Sequence, residues 1–383
     1  MRKFLTFGLI LLSGLCSAVR VQYLGESYQI KWGTAEQSDL VSPYPVHGNP
    51  ACFKKGSWFA LTLLPEAGDP PIDGWQVHSA KLRRKDNGAL IWQGAPTGHM
   101  GPLAVYQLPN LPDHVEWAYL DLHATIFLKG DPEEPPVDSF AQSPADDIFI
   151  VNDAPTGVMS PAWVGLLRYS CYYARTQNTS VGVADALTRA LFNRGRYIFS
   201  RSWFTHDPAR SENETFWLNG FLAYAGGDEL GGNPTLAVPT GQCNDFGDFL
   251  TCMMQSHGIA AVAYRSYEMS KVYWGGAYGE NSGWNILTNV FKKAGGESLS
   301  ATFTYHQFAG LGPTVYDGAV GPATLAYQPV VGLPAALYKS ILIQEFLYWH
   351  NHVRINPHPI PDPWGPVIVT VTPTVHPNPQ SLF

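Results

Sequence analysis

The sequence predicts an α+β protein: an N-terminal antiparallel β-sandwich over residues 19–155, an α+β core over 156–355 and a Pro-rich C-terminal tail over 356–383. Three observations lead there. Up to about Asp153 the apolar residues come in short runs: Ser57 to Leu64, Gly74 to Leu82, Leu90 to Gln93, Leu103 to Leu108, Val115 to Phe127 and Asp147 to Val151. Clusters such as EAGDPPIDG and KGDPEEPPVD break them, and runs so bounded, with no long helical pattern between, read as the strands of a sandwich. From about Ser160 the apolar period lengthens to that of a helix. Composition agrees, because 37 Gly, 31 Pro and 13% aromatic residues against 14% charged ones imply many turns and packed rings.

Taken in order, the chain begins with Arg2 and Lys3, an apolar stretch from Phe4 to Leu15, and small residues at Cys16, Ser17 and Ala18. That pattern predicts a signal peptide over 1–18, cut near Val19, and so a secreted, periplasmic or cell-envelope protein. Leu15 fits poorly before a lipid-attachment cysteine. No later segment carries eighteen uninterrupted apolar residues, so no membrane span is expected in the mature chain. The acidic loop at 131–138 lacks calcium-loop spacing and contains Pro135 and Pro136, which makes it a solvated turn. Helices are expected over Pro161 to Gln177, Val181 to Arg196, Glu214 to Ala225 and Pro334 to Trp349, and an isolated strand over Pro366 to Val371. In the second helix Ala184, Leu187, Leu191 and Phe192 form one apolar face.

Several functions are excluded or disfavoured. A net charge of −7 without a basic stripe argues against a nucleic-acid groove. AGGDELGGN lacks the Lys-Ser/Thr end of a phosphate loop, and His350 and His352, two residues apart, do not share a helix face for a metal. No cofactor and no metal are expected. After the signal, Cys52, Cys171, Cys243 and Cys252 remain. Cys243 and Cys252, at about 100° per residue, face opposite sides of one helix and cannot pair there. A disulfide between Cys52 and Cys171 stays open.

The chemistry-bearing stretch is GQCNDFGDFLTCMMQSHGIAAVAYRSY, residues 241–267. Thr240 as N-cap would place Gly241, Gln242 and Cys243 in the first turn of a helix. Phe246, Phe249, Leu250 and Met253 give it one core face, Gly258 stops it, and a strand follows from Ile259 to Tyr267. A thiol in a first turn meets unpaired N–H groups and the positive end of the helix dipole, which favour a thiolate and can hold an oxyanion. A small residue at a helix start is equally ordinary packing. The second stretch is ATFTYHQFAGLGPTVYDGAVG, residues 301–321. With Gly310, Leu311, Gly312 and Pro313 as a hairpin loop, Ala309 faces Thr314, and His306 then faces Asp317 on the neighbouring strand. The carboxylate would hold one imidazole nitrogen and leave the other for a thiol.

GQCNDFGDFL, HGIAAVAYRS and YHQFAGLGPTVYDGAVG together resemble the transglutaminase-like superfamily, a papain-like α+β fold, over roughly residues 180–325. Its core opens a helix at Gly-x-Cys, closes it before Gly-Ile and a strand, and sets His and Asp on two later adjacent strands. The resemblance implies Cys243 as nucleophile, His306 as general base and acid, and Asp317 as the group orienting the imidazole. Asn244, where animal members carry Trp, places the chain nearer the microbial members. The implied activity is acyl transfer from protein or peptide amides through a thioester, giving hydrolysis with water or a crosslink with a lysine amine. Gln242 is a candidate oxyanion neighbour, and Trp274 and Trp284 are candidate walls of a substrate channel. The alternative is a catalytically inactive binding or structural module of the cell envelope.

Overall fold

The computed structural model describes residues 19–31, 49–65, 72–129, 137–142, 147–198, 204–205, 215–216, 218, 221–222, 234, 237–267, 284–286, 291–294, 301–303, 305–322, 325–338, 341 and 367–371. It is α+β, with several sheets and few helices. Residues 1–18, Trp274, His350, His352 and positions 131–136 lie outside the described residues. The chain divides into two compact units, Met1–Ile30 with Leu40–Val151, and Lys31–Asp39 with Asn152–Phe383.

In the first unit the alternating runs become strands: β1 (Val19–Gly25), β2 (Ala51–Lys54), β3 (Phe59–Pro65), β4 (Ile72–Arg84), β5 (Leu90–Gly94), β6 (Tyr106–Leu108), β7 (Glu116–Leu128), β8 (Val137–Gln142) and β9 (Ile148–Val151). The expected runs coincide with six of them, and β1, β2 and β8 are additional. One sheet has the order β1-β3-β6; the other runs β2-β9-β7-β4-β5, with β8 also paired to β7. One pair departs from the antiparallel expectation: β9 lies parallel to β2. No short hairpin joins those two strands, so nothing forces them to oppose. Both sheets feed one apolar core that includes Tyr23, Phe59 and Leu61 from the first and Trp75, Leu120 and Ile148 from the second. Along β4 the buried side chains beyond Gly74 are Trp75 and Val77, then Ala80 and Leu82. Their phase changes where the register against β7 shifts between Val77 and Ser79, as one extra residue must make it do.

The second unit carries the candidate site. Its helices are α1 (Val164–Tyr173), α2 (Ser180–Arg194) and α3 (Cys243–Ser256). Thr179 starts α2, its hydroxyl accepting the Gly182 N–H at 3.0 Å, and Ala184, Leu187, Leu191 and Phe192 are buried as the pattern requires. The helix expected over 214–225 does not extend throughout, because Thr215–Phe216 pair with Phe204–Thr205 as strands while Leu218, Phe221 and Leu222 are helical. A short parallel pair, β10 (Arg196–Tyr197) and β11 (Thr240–Gly241), precedes α3. An antiparallel sheet then forms from β12 (Val262–Tyr267), β13 (Tyr305–Leu311), β14 (Thr314–Asp317), β15 (Val330–Pro334) and β16 (Val367–Val371), in the order β15-β14-β13-β12-β16. The helix expected from Pro334 is described as helical at residues 335–338 and 341, and Pro334 itself ends β15.

Helix α3 is buried along its whole length, not on one face as its apolar stripe suggests. Several of its polar groups are paired: Thr251 Oγ1 donates to Gly247 O at 2.8 Å, Gln255 Nε2 to Ala261 O at 2.8 Å, and Asp248 accepts from Gln307 Nε2 at 2.6 Å. Buried polar groups so satisfied cost little, which is how a mixed helix can lie inside a core. The C-terminal stop is a Schellman turn: Gly258 N–H reaches Gln255 O, Ile259 N–H reaches Met254 O, and Gly258 takes φ +75°. Gly247 lets the helix lie directly on β13, since a Cβ there would come within 2.9 Å of Gln307 Cγ and 3.0 Å of Phe308 N.

Candidate active site

Cys243 is the first residue of α3, but the cap differs from the expected one. Thr240 and Gly241 form a strand, and Gln242, in extended conformation, is the N-cap. A capping box ties Gln242 to Asp245, whose carboxylate accepts the Gln242 N–H at 2.7 Å. The sequence pointed to Thr240 because hydroxyl residues favour caps; Thr240 instead donates to Val238 O at 2.8 Å. The later start brings Cys243 to the extreme first position, where the dipole acts most strongly. Gln242 is thereby used in starting the helix.

The hairpin register also differs, by two residues. Leu311 faces Thr314, Gly310 faces Val315 and Ala309 faces Tyr316, so the connection has two residues, Gly312 and Pro313, instead of four. Gly312 at φ +56°, followed by a proline whose ring holds φ near about −65°, suits a tight hairpin connection, and Gly310 and Leu311 are drawn into the ladder. His306 and Asp317 are therefore diagonal, not directly opposed. Because the side-chain period is two, a slip of two keeps both on one face; a slip of one would have parted them. His306 Nε2 and Asp317 Oδ2 meet at 2.6 Å, both groups buried.

Asp317 is held from three further directions. Its Oδ1 accepts the N–H groups of Ala319 at 2.8 Å and Val320 at 3.3 Å, and Oδ2 also accepts the Tyr338 hydroxyl at 2.6 Å. With Nε2 committed to Asp317, the Nδ1 edge of the ring remains for the sulfur. Burial alone would lower the His306 pKa, but the charge and hydrogen bond of Asp317, with a contribution from Cys243, outweigh it and push it up to about 10. The direction of that shift favours the charged imidazolium over the neutral ring. Cys243 itself retains 4% exposure.

Two residues here carried no sequence signal. Tyr197 on β10 is brought beside the helix start by its pairing with Gly241, and its ring lies 6.2 Å from that of Phe246. Burial foremost, then the neighbouring Cys243, raises its hydroxyl well above the usual range, while the Cys243 backbone N–H pulls the other way. Tyr338 follows β15, where only a terminal helix was expected. Of the remaining sequence candidates, Trp284 begins a short strand, Trp284–Ile286, paired with Ala301–Phe303. Cys52, Cys171, Cys243 and Cys252 are all buried, and among the described residues none is part of a disulfide. Among the described residues no group of three His, Cys, Asp or Glu could hold a metal ion, and no helix is long and apolar enough to cross a membrane.

No protein-family model matches the chain, and no curated protein does. Among solved structures, that of a transglutaminase from red sea bream is similar at 12% identity and a TM-score of 0.30, covering 70% of this chain and 49% of that one. The chain thus spans about half the length of that enzyme, and the site has to be read from its own geometry.

Proposed function

We propose that this chain is a cysteine-dependent acyl-transfer enzyme acting on protein or peptide amides, with Cys243 as nucleophile, His306 as acid and base, and Asp317 as the group that orients the imidazole. The observation that carries this reading is the buried His306–Asp317 pair at 2.6 Å, whose imidazole also feels the Cys243 sulfur at a helix N-terminus. The thiolate is the reactive form of a cysteine, and a helix N-terminus with a neighbouring imidazole is the kind of setting in which nucleophilic cysteines work. The sulfur attacks the amide carbonyl carbon. As the tetrahedral species collapses, the C–N bond breaks, His306 gives its proton to the leaving amine, and a thioester remains. His306 then takes a proton from water or from an incoming amine, which attacks the thioester and releases Cys243. N–H groups of the first turn of α3 are the natural donors to the oxyanion. Since Cys243 is nearly enclosed, an extended amide reaches it only through local opening.

As part of the same reading, the first unit is an antiparallel-type β-sandwich, residues 1–18 direct export, and the second unit is a transglutaminase-like core. The test is intact-mass analysis after incubation with glutamine-containing peptides, with peptide mapping. A peptide thioester on Cys243, lost in His306→Ala, supports the reading. Neither adduct nor product under conditions where the protein is folded would refute it and favour a non-catalytic module.

A further inference from the structure

Asp317 receives more donors than an orienting carboxylate requires. Two come from the backbone at Ala319 and Val320, one from His306 and one from Tyr338, so the donors equal the lone-pair sites that a carboxylate offers. The two that reach Oδ2 both do so at 2.6 Å, from opposite sequence directions. Tyr338 is completely buried, and its ring meets Phe308 edge-on at 5.1 Å and 89°, while Phe308 lies 5.8 Å from the His306 ring. The ring is held by its packing on Phe308, and the hydroxyl by Asp317.

We propose that Tyr338 is a positioning residue of the acyl-transfer site: by sharing Asp317 Oδ2 with His306, it sets how strongly the carboxylate holds the imidazole proton. This rests on the functional reading above. Two donors on one oxygen divide its negative charge, so each is bound less tightly than it would be alone. An imidazolium held too firmly is a poor acid toward a leaving amine, and the shared oxygen moderates that hold. Among the described residues, the titratable groups bearing on His306 are Asp317 from β14 and Cys243 from α3. Tyr338 reaches His306 through Asp317 and also feels the charge of Cys243, and Tyr197 on β10 bears on Cys243.

The experiment uses the full chain and follows the His306 ring by NMR across pH, alongside the pH profile of Cys243 alkylation. Tyr338→Phe keeps the ring packing and removes one donor. The His306 midpoint is expected to rise by about half to one pH unit, the size of one neutral hydrogen bond, with thioester formation slowed several-fold at unchanged KM. A fluorinated tyrosine placed at position 338, a stronger donor of the same shape, should move the midpoint the other way, which keeps the proposal testable if Tyr338→Phe folds poorly. Midpoints unchanged in both would overturn the proposal and leave Tyr338 as packing. The NMR readout does not depend on turnover. If midpoints shift as expected while His306→Ala leaves Cys243 reactivity unaltered, the acyl-transfer reading fails and the coupling of Tyr338 to His306 stands.

Discussion

Replacing Gly247 by alanine sets two effects of known size against each other. Alanine in a helix interior is favoured over glycine by about 1 kcal/mol. Against that, the added Cβ would lie 2.9 Å from Gln307 Cγ and 3.0 Å from both Gln307 C and Phe308 N, where ordinary contacts begin at 3.4 Å. Backbone atoms cannot swing aside, so β13 must withdraw from α3 by roughly 0.5 Å, a typical overpacking that costs about 1–3 kcal/mol. The net change in stability is therefore small, roughly 0–2 kcal/mol of loss. Function is expected to suffer more. His306 is the residue before Gln307, and Cys243 is one turn from Gly247, so the strand's withdrawal opens the gap between imidazole and sulfur. A misplacement of that order is worth about tenfold in rate. Urea denaturation and the iodoacetamide labelling rate of Cys243 measure the two effects separately. If Gly247→Ala gained the full helix benefit and labelled at the parent rate, the spacing of α3 and β13 would not control the site.

Asp317→Asn removes the charge that does most to raise His306 and leaves burial opposed only by Cys243, so the His306 midpoint should fall and Cys243 labelling at pH 7 should slow at least about tenfold; an unchanged pH profile contradicts this. His257, fully buried, is lowered to about 4 by burial, partly offset by the Ser170 backbone. The unfolded chain, near about 6.5, protonates first, so stability should fall with pH from about 6.5 to about 4, by up to about 3 kcal/mol. Denaturation of the parent and of His257→Phe across that window should show a slope that flattens in the variant. His306, being raised, adds stability that is present below about 6.5 and lost as pH rises through about 10. Gly258→Ala forces φ +75° on a residue with a Cβ only 2.7 Å from Ala154 O, and should lower the urea midpoint by the equivalent of about 1 kcal/mol or more.

What the sequence shows of this fold follows the range of the physics involved. Runs such as Gly74 to Leu82 were legible because alternation and turn residues are local, whereas β1 follows closely on the apolar stretch from Phe4 to Leu15 and β2, though bounded by Gly48-Asn49-Pro50 and Gly56, is only four residues long. Helix α3 was legible in extent from its stripe and Gly258, but its burial on all sides was not, because the partners of Asp248 and Gln255 lie on other segments. At the site, Cys243, His306 and Asp317 stood out through residue type and spacing. The register was two residues off, since the Gly312-Pro313 turn is tighter than the loop composition suggested. Only the parity mattered for bringing the pair together. Tyr197 and Tyr338 were invisible because their relevance comes from contacts made across long stretches of chain, and a tyrosine in an aromatic-rich sequence carries no mark of its own.

Competitive alkylation within one protein tests the central claim most directly. Cys52 and Cys252 are completely buried and their thiols are pushed up, Cys52 by burial and Cys252 by burial and the Asp248 charge, so they serve as internal controls. With iodoacetamide at neutral pH and peptide mapping, Cys243 should label about a hundredfold faster than either, and His306→Ala should abolish most of that advantage. Equal, slow labelling of Cys243 with and without the His306 imidazole would contradict the account.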